Sequence, residues 1–458
     1  MSYLMTLLSP VIAFLLAVIT PFATMICYDP TVPYDKEIAV AEEKAGGYMK
    51  GICHADPDYD LLHEANIGWI RDDIPFPYDE KGNLSKSYLS WKAEMQEYAD
   101  NGMKIMGITP YPDDYIEYGL DPRNPEDVKG IQDIARFYVK DLGHLLGAIQ
   151  VTNEMGVDRF TYPLTMDEAY EFIGMQLEAL DPVKGDILVG YNMTGTFVAS
   201  MPFEMMEYHK YCDYVGVDMY LGCFENVLKN SDQIITILSF VRRVTGKPVI
   251  VCEFGYIGLG EQKTRAEKNE ILQSYGYKNE SEASADIDNF ISKLPPELTD
   301  EFDKYADESP EYRADQMFND EYANHLYTEL QAGYGLYDFE HTPEGQAEFF
   351  SYIIPKIMDL DFVIGSFIYC WHDSGDCYVC GQAECPVETK WGLVDGNGKP
   401  KLSYYAVKEA FSEDVKPEEE KDLKTQIKEV ADKAYLYAKS FLLEFGQAVD
   451  NAIASAKS

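Results

Sequence analysis

Short apolar runs and amphipathic stretches alternate along this chain from about residue 47 to residue 411. Runs at 47–53, 68–72 and 104–109 read as buried strands. Each is followed by a segment with helical spacing, at 58–66, 88–100 and 127–142. The second of these helices meets a stop signal at Asn101-Gly102. A fourth run, 147–154, precedes a helix over 165–180, opened by a Thr-x-x-Glu capping box at Thr165 and Glu168. Runs at 187–191, 214–220, 248–253 and 362–371 supply strands five to eight. Eight strand–helix units of one kind predict an α/β fold, a closed (β/α)8 TIM barrel.

Three segments depart from this rhythm. Residues 258–341 form a polar, acidic, Tyr-rich insertion after strand seven, with helical patches at 264–275 and 315–330. An insertion there rises on the carboxyl-terminal face of the barrel, where it would form a lid or a wall of the cleft. The tail, 417–458, carries Leu423, Ile427, Val430, Ala434, Tyr437, Phe441, Phe445 and Ala448 on one stripe of an amphipathic C-terminal helix. At the other end, residues 3–25 carry no charge, and 1–28 read as a signal peptide or a membrane anchor. No Lys or Arg precedes that run, and Pro10 and Pro21 interrupt a straight spanning helix. Cleavage and retention therefore both stay open. Either way the chain is expected to be secreted or held at the cell surface, and retention would give it a membrane association.

Composition narrows the partners. With 38 Lys and Arg against 79 Asp and Glu, the net charge is −41, which excludes nucleic acid as a favourable ligand and disfavours anionic substrates.

Two carboxylates stand out against this acidic background by their placement. Glu154 closes the run Gly147-Ala-Ile-Gln-Val-Thr-Asn153-Glu154, and Glu253 closes Pro248-Val-Ile-Val-Cys-Glu253. Both are expected at carboxyl-terminal strand ends, where a parallel barrel builds its active site. Such a pair suits retaining glycoside hydrolysis, which needs one proton donor and one nucleophile.

With these residues the chain resembles the clan A glycoside hydrolases, retaining (β/α)8 enzymes that include cellulases, mannanases and β-glycosidases. The resemblance covers residues 47–411 and assigns no single family. It implies that Asn153-Glu154 ends strand four and supplies the acid/base, that Glu253 is the nucleophile, and that Arg71 in Trp69-Ile-Arg71 sets a fixed charge beside it. It further implies that Tyr220 hydrogen-bonds the nucleophile and that Trp371 floors the sugar subsite. Asn153 would contact the sugar 2-hydroxyl, and His54 and Asn192 point to the same rim, either as sugar contacts or as side chains that satisfy backbone groups. The clan's usual Pro after Asn-Glu is replaced by Met155. Tyr111, Tyr115, Tyr118, Tyr162 and Tyr256 fall in loops where rings would stack on sugars.

The implied activity is hydrolysis of β-linked oligo- or polysaccharide by double displacement, with a carbohydrate substrate and no cofactor. A catalytically inactive carbohydrate-binding surface protein on the same barrel is the alternative. No His-x-His pair or His/Asp cluster in the sequence marks a metal site. Among nine cysteines, Cys370, Cys377, Cys380 and Cys385 cluster after strand eight. Cys377-x-x-Cys380 has zinc-knuckle spacing without a second pair, so a disulfide pinning this loop is expected in an exported protein. Cys53 and Cys252 read as small buried hydrophobes.

Overall fold

Eight parallel strands pair in chain order and close on themselves: β1 (Met49–Cys53), β2 (Trp69–Asp73), β3 (Lys104–Ile108), β4 (Leu146–Val151), β5 (Leu188–Thr194), β6 (Tyr214–Met219), β7 (Val249–Phe254) and β8 (Val363–Ile368). The last strand returns to the first through the register Met49↔Gly365 and Ile52↔Ile368. The computed structural model describes residues 36–194, 200–224, 231–260, 263–319, 322–330, 339–383 and 385–412. The leader 1–28 and the tail 417–458 lie outside the described residues. Among the described residues no helix is long and apolar enough to cross a membrane.

The strands are apolar on both faces because helices cover the outside while side chains fill the inside. Helix Lys86–Asp100 shows how the sequence directs this. Ser85 caps it by accepting from the Tyr88 amide, and Tyr88, Trp91, Met95 and Tyr98 recur at helical spacing on the buried face. Gly102 then takes φ 84, a left-handed turn that ends the helix as its Asn-Gly signal predicts. The capping box of helix Met166–Leu180 is also formed, with the Thr165 amide donating to Glu168 Oε2 at 2.8 Å. A short helix, Lys36–Ala45, precedes β1 and packs against β5 and β8.

Three strand ends differ from expectation in ways that move the site. β4 stops at Val151, so Glu154 stands three residues beyond the strand rather than on its last residue. β5 continues to Thr194, which keeps Asn192 inside the barrel wall, and β8 stops at Ile368, short of Trp371.

The insertion after β7 is a helical cap with its own apolar core. Leu272, Phe290, Leu298, Phe302, Tyr305 and Tyr322 pack there together with Cys377, Val379, Cys380, Cys385 and Val387 from the loop after β8. The cap also grips the loop after β4. Tyr305 and Tyr312 donate to the two oxygens of Asp158 at 2.7 and 3.0 Å, and Arg159 pairs with Glu301 at 3.4 Å. Removing Asp158 leaves two tyrosine hydroxyls without their acceptor, at a cost of about 1–3 kcal/mol. Asp158→Ala should therefore lower Tm by several degrees in thermal scanning, and an unchanged Tm would show that the two tyrosine hydrogen bonds to Asp158 do not hold the cap.

The eight described cysteines are all free thiols, so the expected disulfide after β8 is not formed. Cys377, Cys380 and Cys385 lie instead beside His325, a neighbour about fifty residues upstream that spacing alone does not reveal.

Candidate active site

Glu253 is the penultimate residue of β7, and its two oxygens are held separately. Oε1 accepts from Arg71 Nη1 at 2.5 Å, while Oε2 accepts from the Tyr220 hydroxyl. Arg71 is almost fully buried, as is Glu253. A buried guanidinium needs acceptors, and Arg71 has one on each of its three nitrogens: Glu253 on Nη1, Gln150 Oε1 on Nε at 3.0 Å, and Asn153 Oδ1 on Nη2 at 2.6 Å. Burial and the neighbouring carboxylates hold the Tyr220 phenol protonated, well above its usual range, so it remains a donor to Glu253.

Asn153 Oδ1 receives three donors, from Arg71, from Gln150 Nε2 at 3.0 Å and from Asn192 Nδ2 at 2.7 Å. These contacts assign the carbonyl oxygen to the protein side and leave the Asn153 amide group to donate into the cleft. Asn192 is itself fully used. Its Oδ1 accepts from the Glu154 backbone amide at 3.0 Å, and its Nδ2 also donates to Asp218. Buried in β5, it satisfies the Glu154 backbone amide and holds Asn153, the second of the two roles the sequence left open for it.

Glu154 reaches the pair through a strained turn. Thr152 and Glu154 take φ 55 and φ 43, conformations that cost about 1–3 kcal/mol each for residues with a Cβ. The turn is held by Thr152 N donating to Thr109 Oγ1 at 3.0 Å and by the Asn192 contact to Glu154 N. The result brings carboxylate oxygens of Glu154, Glu253 and Asp218 within 4.8 Å of one another.

Asp218 on β6 is a member of this centre that the sequence reading passed over. It is fully buried, and burial followed by the charge of Glu253 pushes its carboxyl well above the usual range. Three carboxylates this close are a donor set for a cation. Here the Arg71 guanidinium faces Glu253, and burial favours the neutral form of Asp218. The neutral form is the one the fold favours. Its contribution is fully present below the unfolded value of about 4 and is lost as pH rises toward the folded pKa. Asp218→Asn, which cannot ionise, should therefore gain in Tm relative to wild type as pH is raised from about 4 to about 8. A difference that stays constant across that range would show Asp218 ionised in the folded chain.

The aromatic side of the site departs from expectation. Trp371 is fully buried, donates through Nε1 to Asp58 Oδ2 at 3.1 Å and packs on Tyr404, so it presents no face to the cleft. Tyr369 stands beside Tyr220, the hydrogen-bond partner of Glu253, and lies edge-on to Tyr220, Trp391 and His54 at ring-centroid distances of 5.8, 5.8 and 5.7 Å. Gly255 permits this approach, since a Cβ there would lie 2.6 Å from the Tyr369 carbonyl oxygen. His54 sits at the rim as expected, half exposed and 3.4 Å from Asp72. Burial opposes its charge, but Asp72, Asp73 and Glu253 together raise its pKa above the ordinary value. Of the loop tyrosines, Tyr115 and Tyr256 are core residues, Tyr118 stacks on Tyr78 and Tyr162 packs against the cap. Tyr111 bonds Asp73 at 3.0 Å and stacks on Phe160.

No known family model matches the chain, and no curated protein matches it in sequence. Its structure is similar to the GH53 catalytic domain of Ignisphaera aggregans, with 16% identity and a TM-score of 0.50 over 83% of this chain and 98% of that one. A GH2 β-galacturonidase from Eisenbergiella tayi (13% identity, TM-score 0.46) and a β-glucuronidase from Faecalibacterium prausnitzii (14%, 0.45) each align with 80% of this chain. The chain spans about half the length of those two, 51% and 49%. At these identities the likeness is one of fold, and it rests on the first.

Proposed function

We propose that the chain is a retaining glycoside hydrolase that cleaves β-linked, neutral oligo- or polysaccharide by double displacement. The observation that carries this reading is the Glu154–Glu253 pair, whose closest oxygens lie within 4.8 Å. Retaining enzymes place their carboxyls about 5–5.5 Å apart, whereas inverting ones leave about 6.5–9.5 Å for a water. Arg71 and Tyr220 hold the two Glu253 oxygens, as a carboxylate that attacks without changing its orientation requires. Glu253 forms the glycosyl ester while Glu154 protonates the leaving oxygen. Water deprotonated by Glu154 then releases the sugar. The outward amide of Asn153 is placed to bond the sugar 2-hydroxyl as charge develops at the anomeric carbon.

The neutral-substrate reading rests on charge. Asp72 and Asp73 border the cleft beside His54, and the chain as a whole is strongly acidic, so a uronic acid carboxylate would meet repulsion. The uncharged N-terminal run supports an extracytoplasmic enzyme. A panel of aryl β-glycosides tests the activity, and a 2-fluoro-sugar inhibitor followed by peptide mass mapping tests the mechanism. Turnover of a neutral glycoside and a covalent adduct on Glu253 are expected. Hydrolysis without any adduct would remove the retaining assignment, and no turnover on any glycoside would leave the binding-protein alternative.

A further inference from the structure

The loop after β8 and the cap meet at four buried side chains that the proposed hydrolysis does not use. Cys377 Sγ lies 3.3 Å from His325 Nδ1, Cys385 Sγ lies 3.8 Å from the same nitrogen, and all four ligand atoms, with Cys380 Sγ, fall within 4.8 Å of one another. Tetrahedral zinc with bonds of about 2.3 Å to sulfur and about 2.0 Å to nitrogen implies ligand-to-ligand edges of about 3.5–3.8 Å. The distances from His325 bracket that value. A disulfide would consume two of the three sulfurs and strand the third thiol and the imidazole in an apolar core. The thiols are instead free and converge on one point.

The surrounding backbone is shaped for such a centre. Cys377-x-x-Cys380 closes through Gly381, which takes φ 68 and donates its amide to the Cys377 carbonyl at 2.8 Å. The Gln382 backbone amide points to Cys380 Sγ, and the Gln382 side chain donates to the His325 carbonyl at 3.3 Å. The ligands sit in the second hydrophobic core, packed with cap residues, so water does not reach them.

We propose that His325, Cys377, Cys380 and Cys385 bind one structural zinc ion that fastens the cap to the barrel. Four protein ligands leave no open position, which assigns the metal a structural rather than a catalytic role. Thiolate and imidazole donors in tetrahedral array select zinc over harder cations. Binding displaces the thiol protons to solvent. The fastening reaches the active site by a short path: Glu388, half-buried and close to His325, accepts the Tyr369 hydroxyl at 3.2 Å. The sequence holds only half of the signal, because its histidine comes from a different insertion.

The test uses the full chain, purified with a thiol reductant and without chelator, with metal measured by mass spectrometry. About one zinc per chain is expected, as a closed site binds one ion. Cys380→Ala and His325→Ala should each retain less than about a fifth of the metal, while Cys212→Ser, a buried cysteine outside the cluster, should retain all of it. Should the ligand variants fail to fold, cobalt exchange into wild type decides. A sulfur-to-cobalt charge-transfer band with intense tetrahedral d–d bands supports the site, and a spectrum without thiolate bands overturns it. Wild type isolated without stoichiometric zinc, full zinc in both folded ligand variants, or a native disulfide among Cys377, Cys380 and Cys385 would each overturn it as well.

Discussion

Glu253→Gln is expected to lower kcat on an aryl β-glycoside by about ten-thousandfold or more, because the amide cannot form the glycosyl ester. The loss should be chemical, with a smaller structural part whose direction the site also dictates. Glu253 is the charged partner of a fully buried Arg71, and breaking a buried pair on one side costs about 3–5 kcal/mol. Glutamine keeps one carbonyl acceptor, and Asp218 can give up its proton to face the guanidinium, so the penalty should fall below that range. A fall in Tm of several degrees, with a near-ultraviolet circular dichroism spectrum like that of wild type, is the expected signature. Glu253→Ala supplies the complementary measurement. Added azide should restore turnover and yield the glycosyl azide of inverted configuration, since a small anion then attacks from the vacant face. A Glu253→Gln variant within tenfold of wild type would remove Glu253 as the nucleophile.

The barrel was legible because its parallel strands are short, apolar and punctuated by turns, and its capping signals act locally. Ser85, Thr165 and Gly102 do in the structure what their neighbours in sequence require. Glu154, Glu253, Arg71 and Tyr220 stood out for a related reason, as polar groups on or near the ends of buried runs. Gln150 and Asp218 carry the same signal, a polar residue inside an apolar strand, and were open to the same inference. Trp371 was expected on the last residue of the strand, but β8 ends at Ile368, three residues before it, and the ring is fully buried. Asn192 takes the backbone-satisfying role of the two open to it because β5 runs on past its apparent end. The His325–cysteine cluster was only half legible, through the Cys377-x-x-Cys380 spacing. Its histidine lies on a helix of the cap and its cysteines in the loop after β8, and no local rule links them.

Glu154→Ala should separate two classes of substrate. With an alkyl or sugar leaving group, departure needs a proton, and kcat/KM is expected to fall by about a thousandfold or more. With a dinitrophenyl leaving group the first step needs little assistance, so formation of the glycosyl ester should stay within about tenfold of wild type. Hydrolysis of that ester still lacks its base, so the intermediate should accumulate and appear as a burst of phenolate. Azide should relieve the second step, because it attacks without deprotonation, and should give product of retained configuration, opposite to that from Glu253→Ala. The basic limb of the kcat/KM profile on an unactivated substrate should vanish in this variant, since that limb follows loss of the acid's proton. The geometry makes the result specific to the side chain. The turn that carries Glu154 is held by its backbone amide on Asn192 and by Thr152 on Thr109, contacts that alanine keeps. Equal losses on activated and unactivated substrates, in a folded variant, would show that Glu154 orients the substrate without donating a proton, and the acid would then have to be sought at Asp218, the neighbouring carboxyl whose pKa burial raises.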